Sequence, residues 1–123
     1  MAREEICIPH IVLEWSDWFS WDKLERDAVS PPRRKHGVYE VKYIDSNGRL
    51  TIGKASDLYK RVVRGLVLGK LKHSTGKKIR AHENPSGLMV RWAETERPAA
   101  VEEALHIRHK EDFGCLPKYT KIT

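Results

Sequence analysis

The sequence predicts an α+β fold, a small three-stranded antiparallel sheet flanked by helices, with an aromatic helical arm ahead of it. Three observations lead there. Residues 37–53 have the pattern of a hairpin: GVYEVKYI, the turn DSNG, then RLTIG. Helical stretches follow, the last opened by Pro98 and closed by Gly114. Between them GLMVRWAE reads as a third strand. The order strand, strand, helix, helix, strand, helix suits helices packed on an antiparallel sheet. The pairing of the third strand is left open, with a mixed sheet as the alternative.

At 123 residues the chain suits one core without staples. It divides into an N-terminal helical arm with a basic loop, 1–35, packed on a functional domain, 36–123. In IVLEWSDWFSWDKL the residues Trp15, Trp18 and Phe19 have i, i+3, i+4 spacing, which predicts a short amphipathic helix or an aromatic clamp. Its rings either pack in the core or stack on nucleobases. SPPRRKH is a break: the prolines stop the helix, and the cations that follow either touch phosphates or are simply solvated.

Val38, Tyr39, Val41, Tyr43 and Ile44 favour a strand. Asn47-Gly48 is the strongest short hairpin signal. Ser56-Asp57 opens a helix that runs to about Leu66, with serine as the favoured cap and Asp57 suiting the dipole. A second short helix is expected near KKIRAH. Pro98 fits the first turn of the last helix, and Gly114 its end. The tail LPKYTKIT reads as extended and basic.

The formal charge of +6 suits a phosphate-rich partner, although an ordinary basic surface gives the same number. No run of 18 apolar residues exists, so no membrane partner is expected. MAREEICIPHIVLEW has early acids and no long apolar stretch, which predicts no signal peptide and a cytoplasmic protein. Cys7 and Cys115 form no metal or redox spacing. Two reduced thiols are expected, with one disulfide between the ends as the alternative.

Several short motifs then fall in order. Gly37-Val38-Tyr39 lies on the first strand, and Thr51-Ile52-Gly53-Lys54-Ala55 on the second. Asp57-Leu58-Tyr59-Lys60-Arg61 starts the next helix, Ala99-Ala100-Val101-Glu102-Glu103 the last one, and Leu116-Pro117-Lys118-Tyr119-Thr120 closes the chain. Over residues 36–121 this set resembles the GIY-YIG nuclease domain. Thr51 stands where the family has its second signature tyrosine, and Thr120 where it has a closing asparagine. Threonine keeps a hydroxyl but is much shorter.

The resemblance implies a metal-dependent endonuclease that hydrolyses DNA phosphodiester bonds. Such cleavage needs a deprotonated water, neutralised phosphate charge and a stabilised leaving oxygen. Mg²⁺, or Mn²⁺, can supply the last two, held by one carboxylate if substrate and water complete its shell. Tyr39 would activate water. A free phenol near pKa 10 is a poor base, so a neighbouring cation is needed, and Lys54 is the nearest in sequence. Arg61 would clamp the phosphate, its alternative being an i−4 pair with Asp57. Gly37 and Gly53 would keep the site open to backbone and phosphate. Thr51, Lys54, His73 and Thr120 are supporting positions.

Glu102 and Glu103 compete for the metal. At about 100° per residue, Ala100, Val101, Ala104, Leu105 and Ile107 define one apolar arc, with Glu103 at its edge and Glu102 opposite. The aliphatic Ile107, four places on, selects Glu103 in the family pattern as well. Lys70, Lys72, Lys77, Lys78 and Arg80 are the densest cationic stretch and the expected backbone track. His106 and His109, at i and i+3, lack acidic or cysteine partners in sequence, so a metal pair is not expected of them. Two rival readings stand beside the nuclease: a nucleic-acid-binding module without turnover, and an interaction domain that docks through the tryptophan-rich arm. Any site specificity is left to this domain, to a homodimer or to a partner protein.

Overall fold

A computed structural model describes residues 5–8 and 11–120, with side chains from Val12 onward. Strands β1 (Glu5–Ile8) and β2 (Ile11–Glu14) pair as an antiparallel hairpin. A second, four-stranded antiparallel sheet has the order β3-β6-β4-β5: β3 (Phe19–Ser20), β4 (Gly37–Tyr43), β5 (Thr51–Ala55) and β6 (Leu88–Glu94). Helix α1 (Trp21–Glu25) follows β3, and a π-helix (Tyr59–Val67) follows β5. Helix α2 (Ser74–His82) precedes β6, and α3 (Pro98–Phe113) follows it.

The expected hairpin is present, with Tyr39 opposite Gly53 and Val41 opposite Thr51. The third strand pairs antiparallel to β4, so the sheet is not mixed. Two expectations fail. The sheet has four strands rather than three, because Phe19 and Ser20 add to the outer side of β6. The N-terminal arm is mostly extended rather than helical. Along β2 burial alternates: Leu13 and Trp15 are buried while Val12 and Glu14 are exposed, the period of a strand. Ser16 then holds both polar groups of Trp92, its N–H donating to the Trp92 carbonyl and its Oγ accepting the Trp92 N–H. The helical spacing of the aromatic residues was therefore accidental, and only Trp21–Glu25 coils, capped by the Ser20 hydroxyl.

The sheet separates two cores. On one face Tyr39, Val41, Val90 and Trp92 pack with Trp21 and Leu24 of α1, Val62 and Leu66 of the π-helix, and Ile79 of α2. On the other, Val38, Ile52 and Ala93 meet Leu13 and Trp15 of the arm and Val101 and Leu105 of α3. Trp15 and Trp21 are therefore core residues and not a docking surface. Complete burial of such rings contributes several kcal/mol each, about 3–5 on truncation to alanine.

Helix α3 begins and ends where its punctuation predicts, with Pro98 in its first turn and Gly114 at φ 76°. The helix after β5 departs from the expected geometry. Its cap is Asp57, whose carboxylate accepts the Lys60 N–H at 3.1 Å, rather than Ser56. Arg61 N–H reaches the Asp57 carbonyl, but by Leu68 the bonds run five residues back, to Val63. Beyond its first turn the helix is thus wider than an α-helix. Among the described residues no helix is long and apolar enough to cross a membrane.

A candidate active site at the free edge of the sheet

Strand β5 is an edge strand, and the helical layers on its two faces meet beside it. The cleft formed there encloses about 650 Å³. Tyr39 reaches it from β4, Arg61 from the π-helix, Glu102 and Glu103 from α3, and Thr51, Gly53 and Lys54 from β5 itself. Residues 22 and more apart in sequence therefore share one opening.

The Tyr39 ring lies across Gly53, its cross-strand neighbour. A Cβ on Gly53 would stand 2.4 Å from the phenol Cζ and Oη. That glycine makes room for the tyrosine itself. Gly37 does something else: its missing Cβ would strike the Ala93 carbonyl at 2.3 Å and Leu58 at 2.7 Å, so it permits close packing of strands and helix. The expectation that both glycines open the site to phosphate is corrected accordingly.

His73 is buried, not a surface side chain. Its Nδ1 accepts the Gly76 N–H at 2.9 Å and so caps α2. A nitrogen that accepts carries no proton, which places the ring proton on Nε2. Nε2 lies 2.9 Å from Tyr39 Oη and therefore donates to it. Burial pushes the phenol up to about 12; the positive charge of Arg61 works against that rise, and the Glu102 carboxylate adds to it.

The acidic side of the cleft differs from the helical-wheel reading. Ile107 is 54% exposed, whereas Val101, Leu105 and His109 are the buried stripe of α3. Centred there, the stripe brings Glu102 to its inner margin, half-buried, and leaves Glu103 exposed on the rim. Glu102 is the carboxylate whose charge reaches Tyr39. The cation acting on the phenol is Arg61; Lys54 stands exposed on the rim. No ion pair joins Arg61 to Asp57 among the described residues, since Asp57 caps the helix.

Other positions sort unevenly. Thr51 lines the cleft and is buried. The Thr120 hydroxyl is turned back onto the Pro117 carbonyl at 2.7 Å and does not line the cleft. Its neighbour Tyr119 does, with its hydroxyl on Glu83, which also takes Tyr43 and Lys118. Those three bonds hold the Glu83 carboxyl down at about 2. Lys70, Lys72, Lys77 and Lys78 are exposed, but Arg80 is spent on the Gly65 and Leu66 carbonyls at the end of the π-helix. His106 and His109 turn to separate backbone partners, Ile52 and Cys115, so they form no metal pair. Cys115 is a free, exposed thiol.

Sequence reasoning missed Glu102, Thr75, His106 and Tyr119 as cleft residues. Only Glu102 left a signal, the Leu105 that follows it by three places on the buried stripe.

The donor set fits a hard cation in one limited way. Among the described residues no group of three or more His, Cys, Asp and Glu could enclose a metal. One or two carboxylates, from Glu102 and Glu103, could anchor Mg²⁺ or Mn²⁺ if substrate oxygens and water supplied the rest of the shell.

Comparison with known protein families, curated proteins and solved structures gives no match.

Proposed function

We propose that the chain is a divalent-metal-dependent endonuclease that hydrolyses DNA phosphodiester bonds. The observation that carries this reading is the convergence of a phenol, a guanidinium and a carboxylate, Tyr39, Arg61 and Glu102, on one open cleft. The likeness of residues 36–121 to the GIY-YIG nuclease pattern supports it from the sequence side.

Arg61 sets its planar fork beside the phenol, where it can grip a phosphate and offset the charge that grows on it. Tyr39 would first give up its own proton to solvent and then, as the phenolate, take one from the attacking water. His73 holds the phenol in place and, as a donor to its oxygen, favours the phenolate as it forms. Glu102, with Glu103 at the rim, would hold the cation. A bound Mg²⁺ or Mn²⁺ would polarise a phosphate oxygen and draw the phenol pKa down from its buried value. Thr51 leaves a smaller side chain in the cleft wall than a tyrosine, and Lys54 adds charge at the mouth.

The test is nicking of supercoiled plasmid with Mg²⁺ or Mn²⁺. Glu102→Gln and Tyr39→Phe are each expected to lower the rate by roughly a hundredfold or more, with the thermal midpoint little changed for Glu102→Gln and lowered for Tyr39→Phe by the lost bond to His73. Glu103→Gln is expected to cost less than tenfold. Plasmid left intact by wild-type protein under all metal conditions would reject the reading.

One observation favours a second reading. The phenol is held protonated far above neutral pH, which suits a module that grips nucleic acid without cutting it. Such a module would retard DNA with a steep salt dependence and leave it whole.

A further inference from the structure

A second hollow opens beside the cleft and encloses about 890 Å³. The two share Lys54, Arg61 and Ala99, so they form one continuous depression. The end of β5, the first turns of the π-helix and the start of α3 build its walls. Its rim is cationic, with Lys54, Lys60, Arg61, Lys72 and Arg97. Two acids oppose them, Asp57 and Glu96, and Asp57 is already engaged as the helix cap. No ion pair among the described residues involves Lys54, Lys60 or Lys72. Between these charges the lining is apolar: Ala55, Leu71, Pro98, Ala99.

The charge does not stop at this rim. A smaller hollow shares Asp57 and Lys60 with it and adds Arg33, Arg34 and Arg64. There the Arg33 guanidinium lies 3.7 Å from the Tyr59 ring centre. The loop SPPRRKH and the outer face of the π-helix thus extend one cationic run away from the cleft. Lys77 and Lys78 of helix α2 line none of these hollows.

We propose that this groove is a subsite for single-stranded DNA, which it leads from the cleft across the π-helix to the Arg33–Arg34 loop. The proposal rests on the nuclease reading for its placement but not for its test. A concave trough whose exposed cations flank apolar side chains matches a strand whose phosphates meet the cations while sugars and bases cover the apolar lining. A duplex presents its phosphates on a convex cylinder and cannot follow the trough. The substrate class is therefore DNA with an unpaired strand next to the scissile bond.

Fluorescence anisotropy in chelator separates binding from cutting. The probes are a labelled 15-residue oligo-dT and a blunt 15-base-pair duplex, each over a salt series. Wild-type protein is expected to bind the single strand at least about tenfold more tightly than the duplex. Lys60→Glu/Lys72→Glu, both at exposed positions, is expected to weaken that binding about tenfold and to lower the salt slope by about 1.4, two contacts at ~0.7 each. Arg64→Glu is expected to act in the same direction. Lys77→Glu/Lys78→Glu is expected to bind as wild type. Equal binding of the two probes, or binding untouched by the groove reversals, would overturn the subsite. Because no metal is present, a protein that never cuts but passes this test loses the hydrolase reading alone.

Discussion

Tyr39 and Glu40 are neighbours on β4 and point to opposite faces of the sheet, and each sits among charges. Around Glu40 the charges close on themselves. Its Oε1 takes Arg91 at 2.7 Å and Arg49 at 2.9 Å, and Arg91 is covered by Trp15 and Trp18. Glu40 and Arg91 are each only 3% exposed. Around Tyr39 they stay open: Glu102, Glu103, Lys54 and Arg61 face a cleft, and none is in an ion pair among the described residues. Residue types alone do not separate the two places. What separates them is whether the groups satisfy one another or are held ready for something that enters.

Glu40→Gln should break the closed side. It removes the negative charge that Arg91 and Arg49 share at the Glu40 carboxylate, for a loss of about 3–5 kcal/mol in urea unfolding. The fraction that stays folded should cut DNA at the wild-type rate. Arg61→Ala should do the reverse, with turnover down roughly 10²–10³-fold and stability within about 0.5 kcal/mol. If both variants lose stability and neither selectively loses cutting, the two sites do not differ in the way described.

Gly53→Ala sharpens the comparison on the open side. The added methyl meets the phenol at 2.4 Å and must push it aside. A cost of about 1–3 kcal/mol is expected from overpacking, with a larger effect on nicking than on the melting midpoint.

The smallest effect is in alkali. The folded phenol of Tyr39 titrates near about 12 and an unfolded one near 10.0. Below the lower value both states keep the proton, so this group adds no slope. Between the two the unfolded chain gives up its proton first, and stability should fall as pH rises. Tyr39→Phe should remove that part of the alkaline limb in urea titrations at a series of pH values. An unchanged limb would mean the ring is not buried as described.

Much of the frame could be read from local chemistry. Asn47-Gly48, Pro98 and Gly114 act through the backbone conformations that they alone favour, and the hairpin and α3 lie where those residues place them. Strand β3 left no such mark, because two residues carry no period and pair only through the presence of β6. The arm misled through coincidence: Trp15 and Phe19 are four apart whether the chain is coiled or extended. At the site Tyr39 and Arg61 were legible, but the carboxylate was not. An arc that counted Ile107 as buried rotated the helix wheel away from Glu102, and only tertiary contact shows which apolar residues face inward. His73 was expected as a supporting position, but its contacts were not legible. Its cap on α2 depends on Gly76, and its reach to Tyr39 passes close by Gly65 of the π-helix, where a Cβ would lie 3.1 Å from the ring.

The edge position of β5 has a consequence for how molecules meet one another. A bare strand margin recruits strands from neighbouring chains and starts aggregates. Along this margin α3 lies close, and His106 takes up the Ile52 carbonyl oxygen at 3.1 Å. The side chains that shape the cleft thus also act as a guard against edge-to-edge pairing, and a substitution that strips them would be felt first as self-association.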